Sequence, residues 1–455
     1  MNTLDLRDKK ALVVGLGKSG IAASQLLHRH GAIVTATDSN PVETLSDDAK
    51  DLQSLGIKIE AGGHQPASFT SSDLIVLSPG VPKEIKPMTM AKERGVRIIS
   101  EIELACRFID APVIAITGSN GKSTTTTLIG EILKAKGDKV FVGGNIGTPL
   151  CDYLLSDDTA ECVVAEISSF QLETIEEFRP KISILLNISP DHLDRYHNVS
   201  DYAEAKFRIF ENQRKGDFAI INGDEPWSHE LLNRLKCTAV MFSRKKKIIN
   251  GIYAENGWIV SDMDGHKCRV CEISQIGIKG VHNLENAMAA AAAALLYGCD
   301  PSVIESALKK FTGLEHRLES VRNLDGVRYI NDSKGTNVGA VLKSLESFNE
   351  PLLLIAGGRD KGSDFSPLRP LIKEKLKKLI LIGEARDKIA EAVGGMTNTS
   401  FASTLEEAVS IAHREAVKGD IVLLSPACAS FDMFKNFEDR GRKFKEIVWK
   451  LTSSG

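Results

Sequence analysis

Pro112-Val-Ile-Ala-Ile-Thr117 runs into Gly118-Ser-Asn-Gly-Lys-Ser-Thr124, an apolar strand opening into a glycine-rich turn ahead of a helical stretch. Backbone N–H groups in such a turn wrap phosphates, Lys122 can reach the outer phosphate oxygens, and the Ser123 hydroxyl can ligate Mg²⁺. The spacing departs from the usual pattern, because the position six before Lys122 is Ile116 and the first glycine arrives late, at Gly118. An ordinary turn rarely combines Gly-Lys-Ser with a strand before it and a helix after it. Residues Gly118, Ser119, Asn120, Gly121, Lys122, Ser123 and Thr124 therefore read as a phosphate loop, with ATP the expected ligand.

Outward from this loop, short β-branched runs alternate with amphipathic helical stretches, the signature of parallel α/β sheets. Upstream, Ala11–Val14, Ile33–Thr37 and Leu74–Leu77 read as strands of a first block, with a helix over 101–110 leading out. Around the loop, Cys162–Ala165 and Ile182–Leu186 read as further strands, followed by an alanine-rich helix after Asn286 and another to about Phe311. Beyond Gly313, candidate strands are Tyr329–Ile330, Leu352–Ile355, Leu379–Ile382 and Ile421–Leu424. A chain of 455 residues has room for about three domains, and the blocks predict boundaries at 1–101, 102–312 and 313–455.

With 57 Lys and Arg against 60 Asp and Glu, the formal charge of −3 supplies no basic field for nucleic acid, so any phosphate must be met locally. The longest apolar run, Ala287–Tyr297, is too short to cross a bilayer, which needs about 20 residues. The N-terminus mixes charges of both signs and lacks a signal-peptide core, so the expected location is the cytoplasm. Eight scattered cysteines fit reduced, buried thiols. Cys268 and Cys271 form a C-x-x-C, but no second pair completes a zinc set, and two thiols in or near a strand is the simpler reading.

Near the N-terminus, Gly15-Leu-Gly-Lys-Ser-Gly20 follows a strand, opens a helix and precedes Asp38 by about 20 residues, matching the dinucleotide fingerprint. Alone it suggests a nicotinamide enzyme. The physical requirement is broader, since glycines admit any pyrophosphate, UDP included, and tight strand-to-helix packing without a ligand also satisfies it. Further on, Glu166 ends an apolar strand and His192 follows another, in Ser189-Pro-Asp-His192. A strand-end carboxylate and imidazole facing a phosphate loop suit Mg²⁺, although an isolated His is more often structural.

Taken together, seven ordered motifs resemble those of the Mur ligases, ATP-dependent amide-forming enzymes of peptidoglycan synthesis. They are Gly118-Ser-Asn-Gly-Lys-Ser-Thr-Thr125, Ser168-Ser-Phe-Gln-Leu-Glu173, Asp191-His-Leu-Asp-Arg-Tyr196, His282-Asn-Leu-Glu-Asn286, Glu315-His-Arg317, Asn331-Asp-Ser-Lys-Gly-Thr-Asn337 and Ser425-Pro-Ala-Cys-Ala-Ser-Phe431. The family's phosphate loop has the same late glycine, and the resemblance takes support from the nicotinamide reading.

The resemblance implies an N-terminal Rossmann-like UDP-binding domain, a central ATPase domain and a C-terminal Rossmann-like domain for the incoming amino acid. Its nearest branch joins D-glutamate to UDP-N-acetylmuramoyl-L-alanine through an acyl phosphate, with two Mg²⁺ ions and no obligate protein partner. Sister branches adding L-alanine, a diamino acid or a dipeptide are the nearest rivals. Carried over by position, Lys122, Glu166, His192, Lys206 and Arg317 are expected to be catalytic. Ser123, Glu166, His192 and a carbamylated Lys206 would surround the metals. Asn283, Asn286, Arg317, Asp332 and Lys334 would meet ATP. Gly17, Lys18, Ser19, Asp38, Ser39, Gly80 and Asn145 would meet the UDP substrate, and Thr336, Lys361, Ser430, Phe431 and Phe437 the amino acid.

Overall fold

The computed structural model describes residues 4–156, 158–191, 195–263, 265–360 and 362–452. Among them three sheets form. The first has the spatial order Lys58–Glu60, Ile33–Thr37, Lys10–Val14, Leu74–Leu77, Arg97–Ser100 and is parallel throughout. The central sheet runs His266–Glu272, Trp258–Met263, Gly251–Glu255, Thr238–Ser243, Phe218–Asn222, Ile182–Leu185, Val113–Thr117, Cys162–Glu166, Val140–Gly144, antiparallel only across the two pairings of its first three strands. The third runs Glu319–Leu324, Val327–Asn331, Ile421–Leu424, Leu352–Gly357, Leu376–Ile382, Asn398–Phe401, with only its first pair antiparallel.

A parallel sheet needs both faces covered, so its inner strands read as continuous apolar runs. Leu74–Leu77, Cys162–Glu166, Ile182–Leu185 and Ile421–Leu424 are buried at every position. Most strands absent from the sequence reading are short or polar ones at or near edges: Lys58–Glu60, Arg97–Ser100, Val140–Gly144, Glu319–Leu324, Asn398–Phe401 and the hairpins through Glu272; the inner strands Phe218–Asn222 and Thr238–Ser243 were missed as well. Half-solvated edges do not need an apolar run. Cys268 and Cys271 lie in the strand His266–Glu272, and all eight thiols are free. No described helix is long and apolar enough to cross a membrane.

Two compact units result. One comprises 1–188, 200–275 and 285–308, and holds the first two sheets; the other comprises 189–199, 276–284 and 309–455. Within the first unit the N-terminal sheet is fastened to the central one by a buried polar knot. Glu103 accepts the N–H groups of Glu176, Glu177 and Phe178 and pairs at 2.6 Å with buried Arg107. Beside it Glu101, wholly buried, accepts the Cys151 N–H at 2.7 Å, and burial pushes its carboxyl up to about 7.

Candidate active site

In an open parallel sheet, ligands bind beyond the carboxyl ends of the strands, where the strand order reverses. In the N-terminal sheet that place holds a cavity of about 240 Å³ lined by Gly15, Asp38, Ser39, His64, Gly80, Val81, Pro82 and Ile85. Asp38 braces its floor, accepting the Leu16 N–H at 2.7 Å and the Asn40 N–H at 2.9 Å. Gly20 is required sterically, because a Cβ there would stand 1.8 Å from the Gly15 carbonyl oxygen. Gly17 caps the helix Lys18–Arg29, which begins with Lys18 and Ser19. His64 was not legible in the sequence. Its ring sits 3.1 Å from the Thr37 hydroxyl, and burial lowers its pKa against the opposing pull of Asp38.

In the central sheet the phosphate loop joins Val113–Thr117 to the helix Lys122–Lys136. Gly118 (φ 150°) and Gly121 (φ 87°) hold backbone shapes that L side chains avoid. Lys122 folds back, donating to the Gly118 and Ser119 carbonyls at 2.8 and 3.0 Å. Lys206, almost wholly buried in the helix Val199–Phe207, also donates to the Gly118 carbonyl, at 3.0 Å, with its ammonium 4.3 Å from the Tyr202 ring centroid. Asn187, missing from the sequence reading, clamps the turn. Its amide donates to the Asn120 carbonyl and accepts the Asn120 N–H, while its own carbonyl accepts the Ser119 N–H. The available signal was its place at a strand end, just before Ser189-Pro-Asp-His192.

Glu166 ends the neighbouring strand opposite Ile116. One carboxylate oxygen accepts from the Asn145 side chain at 3.1 Å, and the Asn145 N–H donates to the Glu166 carbonyl. The other, Oε2, is buried with no hydrogen-bond partner among the described residues. A buried, uncompensated carboxylate oxygen next to a phosphate loop with a buried Ser123 suits a hard divalent cation. No group of three or more potential His, Cys, Asp or Glu ligands is preassembled among the described residues. His192 lies outside them. Asn286 packs against Gly121, where a Cβ would fall 2.2 Å from its Oδ1, whereas Asn283 donates to the Lys279 carbonyl at 2.8 Å.

In the second unit, His316 (φ 64°) and Leu318 (φ 45°) flank Arg317 with left-handed backbone that non-glycine residues adopt at a cost of about 1–3 kcal/mol each. Asp332 is wholly buried. It accepts the Ser344 and Ser425 hydroxyls, both at 2.7 Å, and desolvation raises its carboxyl to about 6. The loop after it is knitted to 425–431, the Ala427 N–H donating to the Gly335 carbonyl. Lys334 stands 3.8 Å from the centre of the Phe437 ring. The Thr336 N–H donates to the Lys334 carbonyl, Ser430 is buried, and Phe431 is 62% exposed. Lys361 lies outside the described residues; Arg359, just before it, exchanges backbone hydrogen bonds with Ala429.

A phosphate loop with an adjacent orphan carboxylate, on one of three α/β sheets, defines a nucleotide-dependent transferase or ligase class. Family models match three successive regions: the Mur ligase MurD-like N-terminal domain at 9–100, the Mur ligase middle domain at 116–294, and the Mur ligase glutamate ligase domain at 316–428. The chain belongs to the Mur ligase family. It is 51% identical over 447 residues to the UDP-N-acetylmuramoylalanine--D-glutamate ligase of Citrifermentans bemidjiense, covering 98% of each chain. The ligase of the same name from Pelotomaculum thermopropionicum is 47% identical over 449 residues, 98% of this chain and 99% of that one. Solved structures share the fold. A pseudomurein peptide ligase type C from Methanothermus fervidus matches at TM-score 0.63 and 20% identity, over 98% and 100% of the two chains. MurF ligase from Thermotoga maritima in complex with ADP matches at 0.60 and 17%, over 98% and 96%.

Proposed function

We propose that this chain is the amide ligase that joins D-glutamate to UDP-N-acetylmuramoyl-L-alanine, consuming ATP and releasing ADP and phosphate. The observation that carries this reading is the full-length likeness, near half identity, to ligases of that name. Three domains at 1–101, 102–312 and 313–455 would hold the UDP substrate, ATP and the amino acid in turn, and the enzyme would work in the cytoplasm.

The L-alanyl carboxylate attacks the γ-phosphate of ATP, giving an acyl phosphate and ADP; the D-glutamate amine then displaces phosphate. An anion meeting a triphosphate needs cations to offset repulsion and to keep attack in line. Lys122 exchanges its loop carbonyls for phosphate oxygens, and Arg317 adds a second charge. Ser123, Glu166, His192 and a carbamylated Lys206 would hold two Mg²⁺ ions, which supply positive charge at the phosphates when bound. The orphan Oε2 of Glu166 and the burial of Lys206 against the phosphate loop support that placement. Asn283, Asn286, Asp332 and Lys334 are assigned to ATP, the latter two near its ribose and phosphates. Asp38, Ser39 and Gly80, which line the N-terminal cavity, serve UDP together with Gly17, Lys18 and Ser19. Asn145 serves the UDP substrate or the γ-phosphate region. Thr336, Lys361, Ser430, Phe431 and Phe437 hold the amino acid.

The test is ADP release with UDP-N-acetylmuramoyl-L-alanine, Mg²⁺ and paired D and L amino acids. ADP and amide formed only with the UDP substrate and D-glutamate present together support the reading. Preference for L-alanine or a diamino acid would move the chain to a sister branch. A carbamate carbon signal after equilibration with ¹³CO₂, lost in Lys206→Arg, checks the lysine; a bare ammonium in active, metal-loaded enzyme would overturn it.

A further inference from the structure

Arg440, in the helix Phe437–Lys450, is 1% exposed, yet none of its hydrogen bonds goes to a carboxylate. Its Nε donates to the Ser333 hydroxyl at 2.9 Å and Nη2 to the Ser333 carbonyl at 2.8 Å. Nη1 reaches the Cys428 and Ala429 carbonyls at 3.3 and 3.4 Å, and Nη2 also reaches Cys428, at 3.3 Å. The Ser333 hydroxyl in turn donates to the Phe437 carbonyl at 2.8 Å. Asp332 and Asp432 act on the guanidinium only through space. Burial lowers it to about 10, so it stays charged at neutral pH.

Such a residue is costly, because a cation taken from water regains little from carbonyls alone. What it joins is informative. Ser333 belongs to the loop that carries Lys334 and Thr336, Cys428 and Ala429 immediately precede Ser430 and Phe431, and Phe437 begins the arginine's own helix. One planar fork, with five donors at fixed angles, therefore spans all three described segments assigned to the amino-acid pocket. Gly358 is packed close by, and a Cβ added there would fall 3.3 Å from Nη1, so only glycine leaves the guanidinium its present position.

We infer that Arg440 is a positioning residue that sets the acceptor specificity of the ligase by fixing the spacing of the Ser333–Thr336 loop, the Cys428–Phe431 loop and Phe437. This rests on the amino-acid pocket proposed above. It touches no substrate; it decides how far apart the substrate-facing groups stand, and hence where an acceptor's amine points. A lysine keeps the charge but cannot bridge the three segments, so charge and geometry separate cleanly.

The experiment compares wild type, Arg440→Lys and the milder Ser333→Ala in steady-state kinetics, with circular dichroism and melting temperature to confirm folding. Arg440→Lys is expected to raise KM for D-glutamate about tenfold or more and to lower the D-over-L-glutamate ratio of kcat/KM by a similar factor. KM for ATP and for the UDP substrate should stay within about twofold. Ser333→Ala, which removes one anchor, should shift the same two quantities in the same direction by roughly two- to fivefold. Unchanged acceptor KM and D/L ratio in a folded variant would overturn the inference, as would a parallel fall for all three substrates. If Arg440→Lys does not fold, Ser333→Ala alone decides. If wild type prefers another acceptor, the D-glutamate reading fails, and the same comparison made with that acceptor judges Arg440.

Discussion

Replacing Gly121 by alanine tests the phosphate loop where its geometry is tightest. Gly121 sits at φ +87°, and an added Cβ would fall 2.2 Å from Asn286 Oδ1, 3.1 Å from Asn286 Cγ and 3.2 Å from Leu186 Cδ1. Left-handed backbone costs an alanine about 1–2 kcal/mol. Pushing the buried Asn286 aside adds an overpacking cost of about 1–3 kcal/mol. The total, about 2–5 kcal/mol, is relieved only if the loop gives up the shape that presents its N–H groups. If half or more of that appears in nucleotide binding, ATP affinity falls at least about fivefold, and about 30-fold or more if all of it does. The assay is calorimetric titration with a non-hydrolysable ATP analogue, alongside KM for ATP. Gly137→Ala is the control, since Gly137 is left-handed too (φ +106°) but a Cβ there meets nothing within 4 Å. It should lose stability and leave ATP binding unchanged. Adding Gly121→Ala to an Asn286→Ala enzyme should cost ATP affinity less than adding it to wild type, a coupling that two independent defects would not show. ATP affinity within about twofold of wild type in folded Gly121→Ala would refute the reasoning.

Glu166→Gln should keep the bond from Asn145 while removing the orphan anionic oxygen, so the Mg²⁺ concentration for half-maximal ADP release should rise about tenfold or more; an unchanged Mg²⁺ dependence would remove Glu166 from the metal site. Asp332, raised from 3.8 to about 6, takes up its proton in the folded state first, so its contribution to stability grows as pH falls from about 7 toward 4. Relative to wild type, Asp332→Asn should flatten that part of the stability–pH curve, by about 3 kcal/mol across the window for the full shift; superimposable pH slopes would argue against a buried, mostly ionised carboxylate at pH 7. Glu103→Ala leaves Arg107 without its most buried partner and strands the N–H groups of residues 176–178, so stability should drop by at least about 3–5 kcal/mol in denaturant unfolding. A loss below about 1 kcal/mol would mean that the seam is hydrated or readily rearranged.

By itself the chain determined most of its inner strands and its phosphate loop. Val113–Thr117, Cys162–Glu166 and Ile421–Leu424 are apolar because both sheet faces are covered, and that requirement is written locally, residue after residue. The late glycine was readable for the same reason, as a backbone demand of its own turn. Edge strands such as Lys58–Glu60 and Asn398–Phe401 escaped because half their surroundings are solvent, which asks nothing specific of a side chain. Tertiary structure alone decided the polar partnerships: Asn187 on Asn120, 67 residues away, Glu103 on the N–H groups of 176–178, and Arg440 on Ser333, 107 residues away. It also gave Asp332, expected from its motif to lie near the nucleotide, two serine hydroxyls as partners. A side chain's type limits which bonds it can make. Which bonds it does make depends on what the fold carries to within 3 Å of it, and residues so far apart in the chain encode that meeting only through the packing of everything between them.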